Sequence, residues 1–149
     1  MKTIALSFLL GGLALLSAGA ADYDARSIGA TNSLTASATQ TSNLGNVIDL
    51  KNYTRLGLQV EFTHSTATPG SGNCVITLAR SADGVTYETT PRLTWTIANN
   101  NTTQVVAYTN LPTANIDNVR YIKVVSLQNT ATNAMTGFKI WAIRKTATP

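Results

Sequence analysis

The amino-acid sequence predicts an all-β fold, an antiparallel β-sandwich or jelly roll of seven or eight strands preceded by an extended or helical N-terminal arm. Three observations point there. Only 12% of the 149 residues are charged while Thr, Asn, Ser, Ala and Gly abound, a mixture that suits short strands and polar turns better than salt-laced helices. Apolar and polar residues alternate with period two in one segment after another, and Gly, Pro, Asn and Asp punctuate the chain between them. Beyond residue 30 no helical period of useful length occurs.

The first stretch, residues 1–20, has two readings. Lys2, the apolar run from Ile4 to Leu16 and the closing Ala18-Gly19-Ala20 reproduce the three parts of a secretory signal peptide, with cleavage near Ala20. The run is interrupted by Gly11-Gly12 and is short for a membrane span, which needs about 20 apolar residues. The alternative is a retained arm that packs on a neighbouring subunit. Residues 25–45 are rich in Ala, Thr, Ser, Asn and Gln, with too few large apolar groups to offset ordering entropy, so residues 21–45 are expected as a polar extended arm.

The sandwich domain is expected over residues 46–145, with a short tail at 146–149, and opens at Asn46-Val47-Ile48-Asp49-Leu50. From Arg55 to Thr63 the alternation is clean, with Leu56, Leu58, Val60 and Phe62 on one face and Gln59, Glu61 and Thr63 on the other. A polar break at Thr66 to Gly72 precedes a strand in which Cys74, Ile76 and Leu78 share a face. Ser81-Ala82-Asp83-Gly84 is a turn signal, since the Asp side chain bonds nearby backbone and Gly supplies positive φ. A short strand is expected next at Val85 to Glu88, then one carrying Leu93, Trp95 and Ile97, and another from Thr103 to Tyr108 that ends at Asn110-Leu111-Pro112. Arg120 to Leu127 and Gly137 to Arg144 complete the set.

No catalytic constellation stands out. Cys74 is the single cysteine, so no internal disulfide forms, and its apolar neighbours read as those of a buried, inert thiol. His64 is the single histidine, which leaves the usual nitrogen and sulfur metal sites without ligands. Asp22 and Asp24 are the only acids close together, and a calcium site would need several more oxygens. No catalytic, cofactor-binding or metal residue is therefore assigned, and the chain is read as non-enzymatic. The formal charge of +4 arises from 11 Lys and Arg against 7 Asp and Glu, but only Arg144-Lys145 are adjacent, so no basic stripe offers itself to nucleic acid.

Two tryptophans are candidates for contact. Trp95 shares its face with Leu93 and Ile97 and is expected in the core. The closing strand is apolar on both faces, as expected of a strand covered on two sides or lying at a subunit contact. If Phe138 and Ile140 face the core, then Trp141, with Lys139 and Ile143, is the candidate partner contact.

Ser33 to Ser42 followed by Asn46 to Leu50 resembles the opening of the small jelly-roll proteins that decorate or cement the heads of tailed bacteriophages. The later landmarks come in a similar order: the alternating strand Leu56 to Phe62, the Ser-x-Asp-Gly turn at Ser81 to Gly84, Leu111-Pro112, and Arg120-Tyr121-Ile122 ahead of a closing strand. The likeness covers residues 33–144, and the signal-like N-terminus departs from it. The resemblance implies a homo-oligomeric virion structural protein on the capsid surface. Its partners would be the major capsid protein and copies of itself; no cofactor is expected, nor nucleic acid, given the scattered basic residues, nor a membrane after any signal removal. The N-terminus keeps open a secreted or periplasmic β-sandwich that binds carbohydrate or a surface polymer.

Overall fold

The computed structural model describes residues 23–41, 44–64, 72–91, 93–98 and 104–146, with side chains from Ser33 onward. Where the sequence alternates, strands form and the apolar set turns inward. In β4 (Tyr53–His64) Leu56, Leu58, Val60 and Phe62 are buried, whereas Gln59, Glu61 and Thr63 are half-buried on the opposite face. In β5 (Asn73–Ser81) the buried set includes Cys74, Ile76 and Leu78. The remaining strands are β1 (Tyr23–Leu34), β2 (Thr39–Gln40), β3 (Ile48–Asp49), β6 (Leu93–Ala98), β7 (Gln104–Asn110), β8 (Tyr121–Asn129) and β9 (Met135–Thr146). A single helical turn, α1 (Thr113–Ile116), starts after Pro112, whose fixed φ suits a helix entry, and it buries Ile116.

Two antiparallel sheets pack face to face as a β-sandwich. One has the order β1-β9-β4-β7, the other β2-β8-β5-β6, and β3 also pairs with β8. Taken together, β2 and β3 are two fragments of one interrupted strand on β8. The chain is then a long hairpin in which the first strand pairs with the last, the second with the second to last, and so inward to β5 with β6. Rolling that hairpin up adds the β4–β9 and β5–β8 ladders and produces a jelly roll. The core lies between the sheets, where Leu58, Val60, Ile76, Leu78, Ile122 and Ile140 are fully buried and the Phe62 and Phe138 rings stack at 5.1 Å.

Three expectations need correction. The polar stretch 21–45 is not a free arm in its described part, because β1 pairs with β9 from Tyr23 opposite Lys145 to Leu34 opposite Met135. Among the described residues the sandwich therefore reaches back to Tyr23, well before residue 46. An edge strand gains its ladder through backbone groups, so small residues suffice, and the buried Leu34 and Leu44 supply apolar anchors at its far end. Residues 85–88 form no strand. The Asp83 carboxylate takes the backbone N–H groups of Val85 and Thr86 at 2.8 Å each, and Val85 stands 84% exposed. At the other end, β9 runs through Thr146, so that residue belongs to the sandwich and not to a tail. Residues 1–20, with their signal or arm reading, lie outside the described residues.

The Ser81–Gly84 turn forms as the sequence indicates. Asp83 accepts from the Ser81 hydroxyl at 2.8 Å, Ser81 Oγ in turn accepts from the Gly84 N–H at 2.9 Å, and Gly84 sits at φ +79°. The segment is folded back onto β5 by Arg80, whose guanidinium binds the Glu88 carboxylate with a shortest contact of 2.9 Å. Lys123 lies 3.8 Å over the Tyr87 ring beside it.

Candidate interaction surface

The inward commitment of Phe138, Ile140 and Ala142 on β9 turns Lys139, Trp141 and Ile143 to the outer face of the first sheet. Lys139 is exposed, and Trp141 and Ile143 are half-buried. Because β9 is flanked by β1 and β4, these three residues occupy the middle of a sheet, not an edge. Register places Lys139 opposite Glu61, Trp141 opposite Gln59 and Ile143 opposite Gly57 on β4. The next strand, β7, continues each row with Val106, Tyr108 and Asn110.

The sequence reading did not include β7 in this surface. Val106 is 59% exposed and Tyr108 55%, which places both among the few large apolar side chains that face solvent. A strip of Ile143, Trp141, Tyr108 and Val106 thus crosses the outer face. Its signal in the sequence was the alternation of Val106 and Tyr108 with Val105 and Ala107. Nothing local says that β7 lies next to β4, a pairing that closes a loop of some forty residues.

A shallow depression of about 210 Å³ lies at one end of the strip, lined by Arg55, Gly57, Tyr108, Asn110, Ile143 and Lys145. Gly57 forms its floor, since a Cβ there would stand 2.7 Å from the Tyr108 hydroxyl oxygen. The missing side chain lets Tyr108 lie over the sheet and donate to Asn110 Oδ1 at 2.9 Å. Arg55 and Lys145 are directly opposed in the β4–β9 ladder and give this end positive charge. At the other end Glu61 accepts from Gln104 Nε2 at 3.3 Å. The surface therefore combines aromatic and apolar area with a basic end.

Arg144 and Lys145 do not form a basic patch, because adjacent strand residues face opposite ways. Arg144 is buried, stacks 4.4 Å over the Tyr53 ring and donates from Nη1 to the Asp49 carbonyl at 2.8 Å. Arg120 is paired with Asp49 at 3.3 Å. The Asp49 carboxyl feels a desolvation cost, yet the Lys51 N–H and Arg120 outweigh it and hold the pKa below the ordinary value.

The chemical candidates are placed apart. Cys74 is buried in β5, where desolvation pushes its thiol pKa up to about 12, so it stays protonated and is a poor nucleophile near neutral pH. His64 is at the end of β4 in the other sheet, opposite Met135. Trp95 is half-buried and packs against the core beside Leu93 and Ile97. The Asp24 side chain and Asp22 fall outside what is described. Among the described residues no group of three His, Cys, Asp or Glu is arranged to hold a metal ion, and no helix is long and apolar enough to cross a membrane.

No family model and no curated protein matches the chain. Among solved structures, the crystal structure of the infectious bursal disease virus VP2 subviral particle is similar at 13% identity with a TM-score of 0.45. That alignment covers 100% of this chain and 42% of the viral one, so the chain spans less than half the length of that viral chain.

Proposed function

We propose that this chain is a non-enzymatic virion structural protein, decorating or cementing a capsid by bridging major capsid proteins through the outer face of the β1-β9-β4-β7 sheet. The observation that carries the proposal is the strip of Ile143, Trp141, Tyr108 and Val106 with Arg55 and Lys145 at one end, set on a rigid sheet. A bracing protein needs such a presentation. Contact residues held in paired strands lose little freedom on binding, so more of the contact energy appears as affinity. The resemblance of residues 33–144 to phage-head decoration proteins supports the same reading, as does a disulfide-free fold able to form in a reducing cytoplasm.

A partner surface with apolar groups beside acidic ones would match Trp141 and the Arg55–Lys145 end. Sedimentation of a lysate from infected cells is the test. The protein is expected to travel with assembled particles, and Ile143→Lys, which places charge beside Trp141 without touching the core, is expected to release it to the soluble fraction. A wild-type protein that stays at the top of the gradient, or is recovered with a mature start at Ala21 from the secreted fraction, overturns the proposal.

A further inference from the structure

The geometry points to β7 as a self-docking edge: two copies of this chain join their β7 strands antiparallel about Ala107, making one continuous sheet across a two-fold axis. β7 ends its sheet, and among the described residues no strand lies against its far side. Its partner-facing groups can be deduced from the ladder. Leu111 donates its N–H to the Leu56 carbonyl at 2.9 Å, so Leu56 and Leu111 form a hydrogen-bonded pair. In an antiparallel ladder such pairs alternate, which commits Thr109, Ala107 and Val105 to β4 and turns the backbone groups of Val106, Tyr108 and Asn110 to the open edge.

An open edge of this length is a template for another strand unless charge, proline or a bulge defends it. β7, Gln104-Val105-Val106-Ala107-Tyr108-Thr109-Asn110, has no charged residue and no proline, and its register with β4 is unbroken. The occupant follows from self-complementarity. A two-fold centred on Ala107 brings Val106 opposite Tyr108 of the other copy and Tyr108 opposite Val106, with Gln104 opposite Asn110. These are the edge-facing residues, so the hydrogen-bonding parity is satisfied. The pairing covers both exposed apolar side chains with an aromatic–aliphatic contact, which is favourable across strands. No like charges meet within the paired segment, and both copies use the same patch, as a closed two-fold dimer requires. The inference shares Val106 and Tyr108 with the proposed capsid contact, but it needs no partner other than the chain itself.

Sedimentation equilibrium of the full chain over a hundredfold concentration range is the experiment. Wild type is expected as a reversible dimer. A Val106→Lys, Tyr108→Lys variant alters only exposed side chains and should keep its far-ultraviolet spectrum; facing like charges are expected to weaken its dimer at least about tenfold. A Val106→Glu, Tyr108→Glu variant should be weakened likewise when alone, and an equimolar mixture of the two should recover a heterodimer through opposed charges. A monomeric wild type, a trimer, or a dimer that the lysine variant leaves intact would each overturn the inference. So would a mixture that fails to associate.

Discussion

His64 has 2% of its surface exposed, and neither ring nitrogen has a hydrogen-bond partner among the described residues. Its ring stands edge-on to Phe62 at 5.5 Å, and burial holds its pKa below the ordinary 6.5. As pH falls through 6.5 the unfolded chain takes up a proton that the native imidazole refuses, so stability is lost on acidification. Denaturant midpoints at pH 7.5 and 5.0 are expected to differ, with the lower value at pH 5.0. His64→Leu should flatten that dependence while leaving stability at pH 7.5 within about 1 kcal/mol of wild type, since it removes unsatisfied polar groups. Asn129 is the opposite case, a buried amide fully employed. It donates to the Leu34, Thr35 and Asn133 carbonyls at 2.8–3.2 Å and accepts from the Ala131 N–H at 2.8 Å, tying the β1–β2 corner to the β8–β9 corner. Asn129→Ala removes these four hydrogen bonds from a buried site and is expected to cost about 3 kcal/mol in equilibrium unfolding.

At the scale of elements, the turn after β5 is held by one carboxylate. The Val85 and Thr86 N–H groups and the Ser81 hydroxyl hold the Asp83 pKa well below its ordinary 3.8. The resulting stabilisation is present above pH 3.8 and is lost as pH falls toward the lowered value, a window well below that of His64. Asp83→Ala should loosen residues 82–88, seen as faster amide exchange at Val85 and Thr86, with the β5–β8 ladder unaffected. Faster exchange throughout β5 would contradict so local a role. The same turn shows what the sequence made legible. Ser81-Ala82-Asp83-Gly84 was readable because its chemistry is contained within four residues. Val85–Glu88 looked like a strand because Val and Tyr favour one, but the Arg80–Glu88 clamp and the Asp83 acceptor satisfy the backbone differently. β1 was missed for the converse reason, since its sequence, with few large apolar residues, shows no sustained period of two and its partner β9 lies more than a hundred residues away.

At the scale of the molecule, the alternation of β4, β5, β6 and β9 was enough to indicate a sandwich, because a period of two allows one face inward and one outward. It was not enough to choose the order of strands, which depends on the rolled hairpin pairing β1 with β9 and β4 with β7. The candidate surface divides along the same line. Trp141, Lys139 and Ile143 were legible from one strand, whereas Val106, Tyr108 and the Arg55–Lys145 end became visible only when neighbouring strands were placed beside it. Oxidative footprinting of the Trp141 indole, in free protein and in protein bound to capsid particles at equal concentration, tests the bracing role most directly. Protection of Trp141 on binding, with Trp95 unchanged, is the expected result. Equal oxidation of Trp141 in the two states, with protection confined to residues of the β2-β8-β5-β6 sheet, would contradict it.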